Sequence, residues 1–251
     1  MNVLRPALIF MGLLGLWEIV VRASGVPRYI LPSPYGVARA LAAQWPSLLD
    51  HAGVTVAEIL LGLVLGTVLG CLSALLIASY RPVRRWLLPV LVVSQAIPVF
   101  ALAPVLVLWL GYGLASKVAM ATLIIYFPVT AAFFDGLRRT EPGWLDLART
   151  MGGTPARTLC YIRIPAALPA LSSGLRVATA VAPIGAVVGE WVGSGAGLGY
   201  LMLQANARMQ IETMFAALFL LAVFSVGLYM AVDAGLRRAL PWQAEDGRTR
   251  D

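Results

Sequence analysis

The chain alternates long apolar runs with short polar breaks, and the runs have the length of spanning helices. A helix rises about 1.5 Å per residue, so about 20 mostly apolar residues cross a hydrocarbon core of roughly 30 Å. Six stretches meet or nearly meet that length, at 4–23, 54–79, 86–110, 114–136, 170–192 and 213–236. Only Gly111, Tyr112 and Gly113 separate the third from the fourth, which predicts a tight helical hairpin. Residues 35–49 alternate apolar and polar positions at helical spacing and predict a helix lying on the membrane surface. The expected fold is all-α, a polytopic membrane protein of about six transmembrane helices. A single domain spans 1–251, with its core at 54–238 and a first span plus outer amphipathic segment at 1–53.

One passage breaks the apolar pattern. Residues 140–169, TEPGWLDLARTMGGTPARTLCYIRIPAALP, form the longest polar and arginine-bearing stretch. They predict two short helices. Thr140 is placed to cap the first, with Pro142 in its opening turn and Glu141 near its positive end. Gly152 and Gly153 supply a stop, since glycine reaches the left-handed conformation that ends many helices. Thr154 and Pro155 start the second helix, and Pro165 is expected to limit it. Within the first helix, Leu145, Ala148 and Met151 recur every three residues as an apolar edge, flanked by Asp146 and Arg149.

Charge fixes an expected orientation. With both ends cytoplasmic, the inside receives Arg5, Arg81, Arg84, Arg85, Arg138, Arg139, Arg149, Arg157, Arg163, Arg176, Arg237, Arg238, Arg248 and Arg250. The outside keeps five of the 19 basic residues, Arg22, Arg28, Arg39, Lys117 and Arg208. That asymmetry follows the positive-inside rule and places 140–169 in the cytoplasm.

Composition agrees with the pattern. The chain is 60% hydrophobic and 12% charged, against roughly 25% charged in an average soluble domain. The net charge of +7 does not imply nucleic acid, because the arginines gather on no single face and accompany no aromatic module. Cys71 lies in an apolar span and Cys160 in the polar loop, which makes a bridge implausible. The only histidine is His51, and no metal-ligand spacing occurs. Residues 1–25 have a signal-peptide outline, but Glu18 and Arg22 crowd the cleavage region, and a retained span is expected. The tail beyond Trp242 is expected to be loose.

Several residues inside the spans invite a role. Gly62, Gly66, Gly70, Ala74 and Ala78 form one small-residue stripe, suited either to static packing or to a sliding surface. Pro98 and Pro104 are expected to kink or break the third span, and Pro128 bends the fourth more weakly. Ser94, Gln95 and Pro98 are candidates to line a pathway, with simple kinking as the alternative. The fifth span is rich in Ala and Gly and is expected to be interrupted by Pro183. It ends at Glu190, expected near the outer boundary, where it need not be fully desolvated. Glu190 is either functional or a hydrogen-bonded brace for the 193–199 turn. Glu18, paired with Arg22, and Glu58 are weaker candidates. The Gly193–Gly199 run lacks the Lys-Ser/Thr of a phosphate loop and follows a span, not a strand, so it reads as an outer turn. Nothing matches GxxxxGK[ST], so no ATP site is expected on this chain. No relay of Asp, Glu and His runs through the spans to carry protons.

The spacing Asp146-Leu147-Ala148, Gly152, then Ile162-Arg163-Ile164-Pro165 resembles the EAA loop of binding-protein-dependent ABC importer permeases. That loop runs Glu-Ala-Ala, three residues, Gly, nine residues, Ile, one residue, Leu-Pro. Asp146, Leu147 and Ile164 depart from it, with charge and apolar character kept. Leu31-Pro32-Ser33-Pro34, Ala96-Ile97-Pro98, Ala103-Pro104 and Gly197-Leu198-Gly199-Tyr200 also fall where the nitrate/sulfonate/taurine branch has similar segments. The resemblance implies an inner-membrane permease that is not itself an enzyme. Two copies would form the channel, usually as a homodimer. Separate ABC ATPase subunits, which carry the ATP and magnesium, would grip 140–169 through Asp146, Leu147, Ala148, Gly152, Ile162 and Pro165. A solute-binding protein would dock outside. Gly189-Glu190-Trp191-Val192 and 206–210 also look like permeases for hydroxymethylpyrimidine, a thiamine precursor, while the branch itself suggests a sulfonate, taurine or nitrate. The competing readings are a stand-alone channel or secondary carrier, and a membrane subunit of an enzyme complex.

Overall fold

The computed structural model describes residues 4–27, 29–94 and 97–242. Within them the chain is helical throughout, with no strand. In order, the helices are α1 (Leu4–Ser24), α2 (Pro34–Ala43), α3 (Trp45–Ser79), α4 (Arg81–Ser94), α5 (Val99–Leu110), α6 (Leu114–Arg138), α7 (Pro142–Thr150), α8 (Pro155–Thr158), α9 (Ile164–Gly193), α10 (Leu198–Ala207) and α11 (Ile211–Ala239). A π-helical turn, Leu159–Arg163, joins α8 to α9, so the helix is continuous over 155–193. Among the described residues, four helices are long and apolar enough to cross a membrane: α3, α6, the 155–193 helix and α11. The bent pair α4 and α5, meeting at 105°, makes a fifth if counted as one span.

The core is built where backbones approach closely. A Cβ on Gly62 would lie 2.5 Å from the Ala121 methyl, and one on Gly66 would lie 2.6 Å from Ile125. From the other side, a Cβ on Gly185 would lie 2.6 Å from the Ala121 backbone. The α3 stripe is thus a packing surface for α6, and α6 is clamped between α3 and α9. In lipid, where apolar burial alone drives little association, such contact replaces solvent exclusion with dispersion.

These contacts fix directions. Gly62, Gly66 and Gly70 meet Ala121, Ile125 and Val129 in order, so α3 and α6 run parallel. Gly174 meets Ala132, Gly185 meets Ala121 and Gly189 meets Lys117, so α9 runs antiparallel to both. One end of the bundle therefore carries the α6–α9 connection, residues 139–163. The far end carries the start of α3, the start of α6 and the end of α9.

Several expectations need correction. Pro98 does mark the break in the third stretch, standing at the start of α5, but Pro104 lies within α5 without ending it. Pro183 does not interrupt α9, and Pro165 does not limit the second hairpin helix, since the chain stays helical through both. Prolines persist in such helices when neighbouring groups re-satisfy the freed carbonyls. The surface helix predicted over 35–49 stops at Ala43, because Gln44 leaves helical geometry (φ −111°, ψ 18°) and α3 starts at Trp45. Gln44 instead donates its side-chain amide to Thr213 Oγ1 at 2.8 Å, holding the start of α11. The short helix α10 follows the glycine turn and was not foreseen. Gln95, Ala96, Arg28, Arg248, Arg250 and the rest of the tail beyond Trp242 lie outside the described residues.

Candidate functional site

Two sites stand at opposite ends of the bundle. At the first, α7 ends in a glycine cap. Gly152 has a φ of +74°, its N–H donates to the Arg149 carbonyl at 3.0 Å, and Gly153 N–H donates to the Ala148 carbonyl at 2.8 Å. These are the paired bonds of a Schellman cap. Gly153 is constrained as well, because a Cβ there would lie 2.8 Å from the Ala148 carbonyl oxygen. Thr154 Oγ1 then accepts from Arg157 N–H and opens α8. Thr140 does not cap α7, contrary to expectation. It is buried, and its hydroxyl donates to the Leu137 carbonyl at 3.2 Å.

This hairpin presents an apolar groove of about 460 Å³, lined by Trp144, Leu147, Ala148, Met151, Tyr161, Ile162, Pro165, Ala166 and Trp242. The α7 positions follow i, i+3, i+4, i+7, a helical face. That face replaces the edge expected from Leu145, which is half-buried and does not line the groove. Of the six residues assigned to coupling, Leu147, Ala148, Ile162 and Pro165 line the groove. Asp146 does not line the groove; it is paired with Arg149 at 2.9 Å in an exposed bridge. Gly152 shapes the turn. Trp144, Tyr161 and Trp242 carried no pattern that sequence reasoning used.

At the far end, Glu190 is 1% exposed, so this carboxylate is buried within the protein. Its Oε1 accepts from Thr55 Oγ1 at 2.6 Å. Its Oε2 accepts from Gly199 N–H at 2.5 Å and Tyr200 N–H at 3.1 Å. Thr55 Oγ1 accepts in turn from Leu198 N–H at 2.8 Å, and His51 Nδ1 accepts from Gly197 N–H at 3.0 Å. Four successive backbone donors at the start of α10 are thereby satisfied by α3 and α9. A carboxylate there also meets the positive end of the helix. The brace reading of Glu190 fits this geometry. Gly197 permits it, since a Cβ would meet the Glu190 carboxylate. Lys117 is buried too, and its Nζ donates to the Tyr112 and Gly113 carbonyls at 2.7 and 2.9 Å, closing the α5–α6 turn. Glu58 is buried, with neither carboxyl oxygen hydrogen-bonded. Among the described residues no group of three or more His, Cys, Asp or Glu could hold a metal ion.

Ser94 donates to the Leu91 carbonyl at 2.7 Å and is exposed at the end of α4 beside the Pro98 break. Pro183 is buried and lines an apolar groove of about 690 Å³ with Ile184, Trp191, Met202 and Leu218.

Residues 37–240 match the family described as binding-protein-dependent transport system inner membrane component. The chain belongs to that family. The permease is 56% identical to a probable ABC transporter permease protein of Haemophilus influenzae, over 94% of this chain and 97% of that protein. It is 39% identical to the formylaminopyrimidine transport permease protein ThiX of Halalkalibacterium halodurans, over 96% of each. Its fold matches the inward-facing MetNI methionine ABC transporter, with a TM-score of 0.68 at 20% identity, covering 78% of this chain and 97% of that one. The permease is thus a transport component of the inner membrane, not an enzyme, and its branch is the one its motifs resemble.

Proposed function

We propose that this permease is the channel-forming subunit of an ATP-driven importer and that residues 140–169 seat a separate ATPase subunit, the carrier of ATP and magnesium. The observation that carries the reading is the apolar groove of α7 and the π-helical turn. In it Trp144, Leu147, Met151 and Tyr161 stand exposed at the end of the bundle that also holds most of the arginines. Exposed aromatic and aliphatic side chains in a polar loop require a covering partner. Counting α1 and the α4–α5 pair gives six spans, with both termini and the hairpin in the cytoplasm, as the arginine distribution favours. A second copy completes the channel as a homodimer in lipid. A solute-binding protein docks at the far end, which fits the family's description.

The solute we favour is a pyrimidine of the thiamine-precursor class, supported by the likeness to a formylaminopyrimidine permease. A sulfonate, taurine or nitrate is the second reading, supported by relatives that carry sulfonates and taurine. Met151→Asp tests the docking. It puts a charge on the groove wall without touching the core, and co-purification of the ATPase should fall at least tenfold while membrane insertion is unchanged. Undiminished co-purification removes the groove from the mechanism. The solute is tested by measuring which of the two classes the cognate binding protein retains.

A further inference from the structure

The hairpin meets the core through a segment that its own backbone leaves compliant. The π-helical turn Leu159–Arg163 interrupts the regular hydrogen-bond ladder. Pro165 then lacks the N–H that would resume it. A lever attached only through such a segment would flex at its root. On the other side, residues 139–141 form a non-helical link between α6 and α7.

One carbonyl spans this weakness. Leu137, fully buried in the last turn of α6, accepts from Arg163 Nε at 3.3 Å and from Arg163 Nη2 at 3.0 Å. Thr140 Oγ1 donates to the same oxygen at 3.2 Å. Arg163 is the last residue of the π-helical turn, so its guanidinium fork fastens that turn to the end of α6. These side-chain bonds add to the backbone bonds of the joined helix, where Ile164 N–H donates to the Leu159 carbonyl, and to the bond from Arg139 N–H to the Asp135 carbonyl. Leu159 and Ile164 add apolar contact with the cluster around Phe133, Phe134 and Leu137. Such contact resists separation but resists rotation poorly. A planar fork on one oxygen also fixes orientation. Directly beyond the joint, Gly136 is packed against Ala167 and Ala170, so a push on Arg163 reaches both α6 and α9.

We propose that Arg163 is a positioning residue, the stiff joint that makes the hairpin and the α6–α9 core move together. This rests on the coupling reading above. A plain alternative is that Arg163 only satisfies an orphan carbonyl at a helix end, and the experiment separates the two.

The test uses the complete transporter, with ATPase and binding protein, in lipid nanodiscs and a Cys71→Ala background. One preparation carries an environment-sensitive fluorophore on native Cys160, which is exposed in the hairpin. A second carries it on Arg208→Cys at the far end, with Cys160→Ser. ATP with vanadate is the stimulus. Both labels should respond in the parent. In Arg163→Met the hairpin label should keep at least two-thirds of its response while the far-end response falls at least fivefold. Arg163→Lys, which keeps charge but not the fork, should lower the far-end response at least twofold, and it decides the matter if the Met variant does not insert. A far-end response within twofold of the parent in Arg163→Met overturns the joint, and so does simultaneous loss at both labels. If the parent hairpin itself does not respond, the coupling reading fails and the joint falls with it.

Discussion

Removing the Glu190 carboxylate should loosen α10 without unfolding the bundle. In Glu190→Ala, Gly199 and Tyr200 lose the acceptor for their N–H groups, and each buried donor left unsatisfied costs about 1–3 kcal/mol. Thr55 loses less, because its hydroxyl can turn to the His51 carbonyl, already at 3.3 Å. The net cost is about 3 kcal/mol, which raises opening of α10 roughly a hundredfold. Glu190→Gln keeps one oxygen for the two N–H groups and an amide for Thr55, so about 1 kcal/mol is expected. Amide hydrogen exchange across Leu198–Ala207 in nanodiscs reads the difference directly. The brace account is refuted if exchange in the alanine variant stays within about threefold of the parent, or if glutamine is as damaging as alanine.

Three shorter predictions follow from packing and hydrogen bonding. Gly66→Leu, whose Cβ would lie 2.6 Å from Ile125, should cost about 3 kcal/mol by thermal melting in detergent, while Gly53→Leu, with nothing within 4 Å, should be neutral. Glu58→Gln should leave melting within about 1 kcal/mol of the parent, since a neutral amide of the same size fills the buried position; a loss of about 2 kcal/mol would show that the carboxyl group itself is needed. Gly152→Ala should cost about 1–2 kcal/mol of hairpin stability through its positive φ. Gly153→Ala should cost more, because its Cβ collides with a backbone carbonyl; limited proteolysis at residues 150–156 ranks the two.

Four of the six expected spans stand as helices long enough to cross a membrane, legible because those apolar runs are long, and the α7 stop was legible because two glycines mark a cap. The failures share a cause. Pro183 and Pro165 look like breaks locally, yet the surrounding helices hold the chain helical through them. The full burial of Glu190 was not legible because its partner Thr55 is 135 positions away, and no local periodicity reports that. Arg163 looked like one more cytoplasmic charge, since the carbonyl it grips lies 26 positions earlier and belongs to the backbone. Leu145 was favoured over Trp144 and Leu147 because a three-residue interval approximates a helical face only briefly. The short α10 escaped because ten residues with mixed character carry no decisive period.

At 35 residues, α3 is about 50 Å long, some 20 Å more than the hydrocarbon it must cross. The surplus lies on the side where Gln44 reaches Thr213 and Thr55 reaches Leu198. In the proposed topology that end is a fixed mast standing clear of the lipid, and its height would set the level at which a docking protein comes to rest.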